Sequence, residues 1–321
     1  MSTIKPGWSK PSTILFASEF PANEKAFAFA LAQAAEFGSD LVIFHVYDSV
    51  DIAAQEASAI PPDNYAQTRD LIRDRKQRFE PLVQRSENLG VHCTTVVRHG
   101  LAAEQILAFL RERKIDHVVM GTHSPGPIGK LLVGSVAEEV LRNSPVPVDI
   151  VGPNVIEGAY RHFAARTILC SVGVHESSRV VAQFAAELAA HHKANLILQH
   201  VIPPQERDQI LADRTLGQIE AELPSLIPPK LQHKVGVQTR AVLGDPTEEL
   251  LYQGRAQHAN LIVLGAQGAS HFAAVSRAGI FYKVLAYAQC PVITLSPIVL
   301  AECGAVEDHQ LPSEFCLAGV F

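Results

Sequence analysis

The feature that most constrains this 321-residue chain is a repeat of its own sequence. The segment HVVMGTHS at 117–124 is matched by LIVLGAQG at 261–268, and VLRNSPVPVDIVGP at 140–153 is matched by VLAYAQCPVITLSP at 284–297. One constant offset also relates Gly121 to Gly265 and Pro147 to Pro291. Repetition over so long a period indicates two copies of one structural unit, which explains a chain about twice the usual domain length.

The openings of the two copies agree as well. TILFASEF at 13–20 parallels TILCSVGV at 167–174, and DLVIFHVYD at 40–48 parallels NLILQHVIP at 195–203. We therefore predict one domain at 1–155, a second at 165–298 and a C-terminal tail at 299–321. The tail belongs to neither repeat, and its apolar residues leave two hypotheses open, a poorly ordered terminus or a segment docked onto a groove.

Hydrophobic periodicity within a copy alternates between short apolar runs and longer segments with a period near 3.6. In copy one it predicts strands near 13–18, 41–47, 93–98, 117–121 and 147–151. A helix is predicted from Asn23 to Phe37, ending before Gly38, and a long amphipathic helix ends at Gly90 with Pro81 as a candidate kink. A third helix covers AAEQILAFLRERK. Strands that are apolar on both faces and separated by helices indicate a parallel sheet covered on two sides.

Composition excludes several classes of protein. The net charge of −6, without clustered Lys and Arg, argues against a nucleic-acid partner. No apolar run reaches the length of a signal-peptide core or a membrane span, so we expect a cytoplasmic protein. The five cysteines are scattered without metal-ligand spacing and are expected to be small buried residues rather than a zinc site. RDLIRDRKQR at 69–78 is expected to be a solvated helix face.

A glycine-rich stretch, GTHSPGPIGKLLVGS at 121–135, follows the predicted fourth strand. Ligands in open parallel sheets bind at the carboxyl ends of strands, and a helix beginning at Ser135 would offer backbone N–H groups to a phosphate. The spacing matches neither a P-loop nor a dinucleotide fingerprint. A plain loop with a helix cap and a phosphate site are therefore both open on spacing alone.

The two copies resemble universal stress protein domains, whose pattern is G-x-x-G, nine residues, G-[ST], a helix and a V-L-R-x-x-x-x-P-V strand. GTHSPGPIGKLLVGSVAEEVLRNSPVPVDIV follows that pattern closely, and the second copy follows it loosely. The resemblance implies an α/β fold with two open five-stranded parallel sheets of the adenine-nucleotide alpha-hydrolase-like (Rossmann-like) type. It implies strand order 3-2-1-4-5, pairing of the two domains through their last strands, and a homodimer of tandem chains.

The resemblance also implies an ATP or AMP site in copy one. Carried over position by position, its residues are Ala17, Glu19, Val46, Met120, Gly121, Ser124, Gly134, Ser135 and Val136. Two of them depart from the family pattern, because Glu19 replaces an Asp and Ser124 replaces the second glycine.

Copy two departs further. Gly265 and Gly268 remain, but Ala278 stands at the third glycine, Gly279 at the serine and Gly173 at the first-strand Asp. Loss of the carboxylate and the hydroxyl removes hydrogen bonds to a charged ligand, each of which contributes roughly 1.5 to 3 kcal/mol. We therefore predict no nucleotide in copy two.

Other reactive residues have simpler explanations. The histidines, among them His45, His117 and His200, are expected to be neutral, hydrogen-bonded structural residues, with pH sensing or metal ligation as alternatives. Ser135 lacks the sequence context of a catalytic triad, and Asp245 or Thr247 is expected to cap a helix. The sequence predicts a non-enzymatic stress protein that responds to ATP or AMP, with no metal and with an unidentified protein partner. The alternative is a nucleotide-free scaffold that acts through protein contacts or another small molecule.

Overall fold

A computed structural model describes residues 5–19, 21–47, 65–122, 134–156, 165–173, 177–265 and 280–303. Its strands form one continuous ten-stranded sheet in the order β3-β2-β1-β4-β5-β10-β9-β6-β7-β8. Each half of that sheet has the predicted order 3-2-1-4-5. The predicted α/β class with parallel strands is confirmed, and the two expected sheets are one sheet because their last strands pair.

Copy one alternates strands and helices as the periodicity predicts. Its elements are α1 (Pro6–Ser9), β1 (Thr13–Ser18), α2 (Glu24–Phe37), β2 (Asp40–Tyr47), α3 (Tyr65–Arg78), α4 (Glu80–Glu87), β3 (Cys93–His99), α5 (Ala102–Glu112), β4 (His117–Gly121), α6 (Ser135–Asn143) and β5 (Val148–Val151). All five strands pair in parallel with their neighbours.

Copy two repeats this plan with a more segmented connection before its third strand. Its elements are β6 (Thr167–Ser171), α7 (Ser177–His192), β7 (Asn195–Ile202), α8 (Arg207–Ile210), α9 (Leu216–Glu222), α10 (Pro229–Gln232), β8 (Gly236–Leu243), α11 (Pro246–Ala256), β9 (Leu261–Gly265), α12 (Ile280–Tyr287), β10 (Val292–Leu295) and α13 (Pro297–Glu302). Two short 3-10 helices lie at Pro204–Glu206 and Leu223–Leu226.

Local capping explains several helix ends. The Asn23 side chain accepts a hydrogen bond from Ala26 N, and Gly38 ends α2 in the left-handed conformation at φ 67°. The carboxylate of Asp245 accepts from the backbone N–H groups of Thr247 and Glu248. Asp245 is therefore the cap of α11, one of the two residues predicted for that role.

The long helix predicted to end at Gly90 is two helices. Phe79, with φ −90° and ψ −4°, separates α3 from α4, and Pro81 lies in the first turn of α4. Proline is suited to a helix start because it lacks a backbone N–H. The predicted kink is a complete break that precedes the proline.

The two copies join through β5 and β10, which pair antiparallel with Asp149 opposite Ile293. The Thr294 hydroxyl donates to the Val148 carbonyl at 3.1 Å, and the Ser296 hydroxyl donates to the Ser144 carbonyl at 2.6 Å. The predicted pairing through the last strands is thus present, and it makes the core of the two copies continuous.

The start of the predicted tail belongs to the folded body. Val299 and Leu300 on α13 are fully buried, and Glu302 forms an ion pair with Lys5 near the start of copy one. Residues 304–321 lie outside the described part of the chain, so the docking hypothesis for the tail stays a prediction.

Four cysteines are buried, as expected, and none of the four forms a disulfide: Cys93, Cys170, Cys290 and Cys303. Burial raises the pKa of the Cys170 thiol well above its ordinary value and that of Cys290 to about 12. These thiols are protonated and unreactive at neutral pH. Cys316 lies outside the described residues.

Candidate functional site

The carboxyl ends of β1 and β4 lie side by side in copy one. Ala17 on β1 is the register partner of Met120 on β4, and both side chains are buried. Glu19 follows β1 and is exposed, and its carbonyl accepts a hydrogen bond from the Ser18 hydroxyl at 2.7 Å. The parallel sheet therefore brings three of the predicted site residues to one edge.

The start of α2 closes over the end of β4. A Cβ atom placed on Gly121 would lie 2.4 Å from Asn23 Nδ2, so only glycine fits beneath this capping residue. The next residue, Thr122, donates its backbone N–H to the Val151 carbonyl at 3.2 Å and is buried. Gly121 is thus required by close packing within the chain itself.

The N-terminus of α6 is open. Gly134 is its N-cap, and among the described residues no side chain caps the helix and no heavy atom lies within 4 Å of a Cβ built on Gly134. Ser135 is exposed, and Val136 packs against the core with part of its surface accessible. Because the first-turn N–H groups of a helix need acceptors, this end can receive an anion. Ser124 lies outside the described residues.

The end of β2 supplies the remaining predicted position. Val46 is partly buried against the core, and its neighbour His45 lies 2.9 Å through Nδ1 from the Ser18 carbonyl. In copy two His200 makes the same contact with the Val172 carbonyl at 2.9 Å. Both histidines tie the first two strands together, which is the predicted structural role.

An arginine that the sequence analysis missed lies beside this edge. Arg75 on α3 is 6% exposed, although it belongs to the segment predicted to be a solvated face. That prediction is right for Arg73, whose side chain is 80% exposed, and wrong for Arg75. Burial raises the pKa of the Tyr47 hydroxyl, and the charge of Arg75 lowers it in part, so the guanidinium acts on the end of β2.

The universal stress protein family model matches residues 12–152 and again 164–296. The chain belongs to the universal stress protein family. A universal stress protein of Thermus aquaticus is 33% identical over 144 residues, which are 43% of this chain and 97% of that protein. One from Methanocaldococcus jannaschii is 28% identical over 123 residues, 38% of this chain and 70% of that protein. These relatives each match about one of the two copies.

A solved structure covers both copies at once. The universal stress protein from Archaeoglobus fulgidus DSM 4304 superposes with a TM-score of 0.68 at 17% identity, covering 90% of this chain and 97% of that protein. At this identity the likeness concerns the fold. That likeness in fold extends over both domains of this chain.

The second universal stress protein domain has a different edge. Gly173 follows β6 and donates its N–H to the Ser178 hydroxyl at 2.8 Å, so no carboxylate stands at this position. A Cβ on Gly265 would lie 2.4 Å from Val181 Cγ2. Gly268, Ala278 and Gly279 lie outside the described residues.

Above β7 and β8 the second domain carries a separate apolar cluster. We call it the apolar plug, and it consists of the buried residues Ile202, Ile219 and Ala241. Leu211, Leu216, Ile210 and Leu243 pack around it. In the first domain the sequence matches of Ile202 and Leu243 are Tyr47 and His99, whose rings lie 5.1 Å apart. The edge of the second domain is filled with aliphatic side chains, whereas the matching edge of the first domain carries polar rings.

The junction of the two domains contains a buried polar cluster around His117, which is hydrogen-bonded as predicted but is paired with an acid, so the expectation of a neutral ring is wrong. His117 Nδ1 lies 3.0 Å from Asp149 Oδ2, and His117 Nε2 lies 2.6 Å from the Trp8 carbonyl. The Gln33 amide donates to Asp149 Oδ2 at 2.8 Å. Both imidazole nitrogens face acceptors, which requires a doubly protonated ring. Burial opposes that charge, but Asp149 prevails and raises the pKa of His117.

The described part of the universal stress protein contains no group of three or more His, Cys, Asp or Glu side chains that could hold a metal ion. None of its described helices is long and apolar enough to cross a membrane.

Proposed function

We propose that the chain is a non-enzymatic tandem universal stress protein that binds ATP or AMP in its first domain and responds to it through protein contacts. The observation that carries this proposal is the uncapped N-terminus of α6 beside the carboxyl ends of β1 and β4. The backbone N–H groups and the helix dipole at this end favour a phosphate. In this proposal Glu19, which follows β1, accepts a hydrogen bond from a ribose hydroxyl.

The second domain is proposed to bind no nucleotide. Its first strand ends at Gly173, whose N–H is already engaged by Ser178. The neighbouring edge over β7 and β8 is filled by the apolar plug. A charged ligand would have to displace packed aliphatic side chains there, and position 173 offers it no carboxylate in exchange.

The absence of enzymatic activity is part of the proposal. No histidine or carboxylate within the described residues forms a hydrogen bond with the Ser135 side chain, so none of these groups is in contact with the hydroxyl to activate it. Cytoplasmic location and a homodimer of tandem chains complete the proposal, and sedimentation of the purified chain measures the oligomer.

The substitution Gly134→Val tests nucleotide binding directly. The valine side chain would enter the space in front of α6, where no protein atom lies within 4 Å of the new Cβ, so the fold is expected to persist. Mass spectrometry of nucleotide released from protein purified without added ligand should show about one ATP or AMP per chain in the wild type. It should show none in the variant, while circular dichroism stays unchanged.

The matched control is Ala278→Val, at the corresponding sequence position of the second domain. This variant should keep the wild-type nucleotide content. Two nucleotides per chain in the wild type would contradict an empty second domain. Wild-type nucleotide content in Gly134→Val would contradict the proposed site.

One observation favours the nucleotide-free alternative. The Asn23 side chain lies against Gly121, so atoms of the chain itself already occupy part of the space at the end of β4. Calorimetric titration of the purified protein with ATP and with AMP separates the two functions. Saturable binding of neither nucleotide would favour the scaffold.

A further inference from the structure

We propose that Arg75 and Tyr47 form a binding site for a phosphate group at the carboxyl edge of the first domain, separate from the glycine-rich segment after β4. The site lies where α3 crosses the ends of β2 and β3. It requires no nucleotide, and it is independent of the function proposed above.

The burial of Arg75 is the first observation. Its relative exposure of 6% makes it the one arginine that is buried in the described part of the chain. Removing a guanidinium from water is costly unless an anion or several acceptors replace the lost solvent. A buried arginine in a folded protein is therefore expected to have a partner.

The second observation is that this partner is missing from the described residues. Arg75 Nε is buried and has no hydrogen-bond acceptor. More exposed arginines do have carboxylate partners: Arg73 with Asp70, Arg78 with Asp74, Arg85 with Glu24, Arg98 with Glu112, Arg142 with Glu138 and Arg214 with Glu222. Arg75 is thus a buried arginine without an acceptor for its Nε among the described residues, which points to a ligand.

The surroundings of Arg75 are suited to a phosphate. Phe79, one turn further along the chain, is buried and lies 5.3 Å from the His45 ring, which fixes α3 and α4 over the sheet. Tyr47 is 2% exposed and its raised pKa keeps the hydroxyl protonated, so it can donate a hydrogen bond beside the guanidinium. Arginine binds phosphate through two parallel N–H groups, and the tyrosine adds a donor from a different element.

The second domain supports the inference by contrast. Ile202 stands in place of Tyr47, and the apolar plug fills the edge without any buried charge. A domain of this fold can therefore close the same edge with aliphatic side chains. The first domain instead keeps a buried guanidinium, which is destabilising without an anion, as expected for a binding site.

The test is isothermal titration of the full chain with inorganic phosphate at constant ionic strength. We expect saturable binding to the wild type and a loss of about tenfold or more in affinity in Arg75→Met, since a charge-assisted bond is removed. Arg73→Met, on the same helix but exposed, is the matched control and should bind within about twofold of the wild type. Equal phosphate affinity in Arg75→Met and the wild type would overturn the proposal.

Stability separates a ligand site from a structural arginine. In chloride buffer without phosphate, Arg75→Met should melt at or above the wild-type temperature, because an uncompensated charge is removed. Phosphate should raise the melting temperature of the wild type and not that of the variant. A variant that melts well below the wild type in chloride, with phosphate raising both melting temperatures equally, would show a packing role and overturn the site.

Further titrations identify the ligand. Tyr47→Phe keeps the ring and should weaken phosphate binding severalfold, a result that does not depend on the folding of Arg75→Met. Acetate that binds as tightly as phosphate would overturn the phosphate assignment. If ATP competes with phosphate both in the wild type and in Gly134→Val, a phosphate group of the nucleotide binds at Arg75. If ATP leaves phosphate binding unchanged, the ligand is the free phosphate ion. Either of these two results supports a phosphate site at Arg75.

Discussion

The two domains share a backbone plan but differ at the carboxyl edge of the sheet. Above β2 and β3 the first domain places Tyr47, His99 and the buried Arg75, whereas above β7 and β8 the second domain places the apolar plug of Ile202, Ile219 and Ala241. This divergence lies where the strands end, which are the positions that touch ligands in open parallel sheets.

A second difference lies on the line where the domains meet. Asp149 and Ile293 are register partners in the antiparallel ladder of β5 and β10, and they occupy matched positions of the two repeats. Pairing of two first domains would place two Asp149 carboxylates opposite each other. The pairing of unlike copies instead places the Asp149–His117 pair against an aliphatic side chain, which favours the tandem arrangement over pairing of like copies.

The largest expected effect comes from removing the acid of this pair. Asp149→Ala leaves the charged His117 and the Gln33 amide buried without their acceptor, which should cost about 3 to 5 kcal/mol of unfolding free energy. Urea denaturation measures this loss of unfolding free energy. Ile293→Val, the matched control in the second domain, should cost only about 0.5 to 1.5 kcal/mol.

The double variant His117→Leu with Asp149→Ile sharpens the comparison, because it installs the residues of the second domain. Replacing a buried ion pair by aliphatic side chains is often neutral or stabilising, so this variant should recover most of the stability lost in Asp149→Ala. A double variant as unstable as Asp149→Ala would show that the two junction halves are not interchangeable.

The next effect concerns the apolar plug. Ile219 is 1% exposed, and Ile219→Ala should cost about 2 to 5 kcal/mol by leaving a cavity. Tyr47→Phe at the polar edge of the first domain removes only a hydroxyl and should cost about 1 kcal/mol or less. Thermal unfolding of both variants measures the contrast, and equal losses would mean that the two edges are equally well packed.

Glycines at the end of β9 and at the start of α6 give a smaller effect. Gly265→Ala would bring a methyl group to 2.4 Å from Val181 Cγ2, which should cost about 1 to 3 kcal/mol. Gly134→Ala meets no atom within 4 Å at φ −59° and should change stability by less than about 1 kcal/mol. A large loss in Gly134→Ala would mean that the start of α6 is packed rather than open.

Much of this architecture follows from local sequence. The strands, the cap at Asn23, the stop at Gly38 and the cap at Asp245 were predictable because each depends on neighbouring residues. The buried charged residues were not predictable from local sequence. Arg75 belongs to a run of charged residues whose other members face solvent, and its burial depends on contacts with the distant end of β2.

The junction cluster was hidden for a related reason. Asp149 stands in the apolar strand VDIV and His117 in HVVMG, and nothing in either segment shows that the two side chains meet. Only the order of β4 beside β5, with Trp8 and Gln33 above them, creates the contact. Periodicity predicts which strands are buried, but not which polar groups satisfy each other inside.

The smallest expected effect is the dependence of stability on pH, and the two domains contribute to it with opposite sign. The pKa of His117 is raised in the folded protein, so its stabilising contribution is complete below the unfolded value of about 6.5 and is lost as pH rises through the folded value. Burial, together with the neighbouring His191, lowers the pKa of His192 on α7 to about 4. Its unfolded form therefore binds a proton first, and stability falls as pH drops from 6.5 to 4.

Urea unfolding across pH 4 to 9 separates these contributions. His117→Gln should flatten the alkaline fall in stability, and His192→Phe should flatten the acid fall, because each removes one titrating ring from the junction. His92→Gln is the control. His92 Nδ1 lies 3.3 Å from Asp40 Oδ1, and because both side chains are exposed this pair contributes little to stability. An alkaline slope unchanged in His117→Gln would mean that the ring is neutral in the folded protein. A neutral ring could not donate hydrogen bonds to both the Trp8 carbonyl and Asp149. The difference between the two halves of the junction would then depend on packing alone.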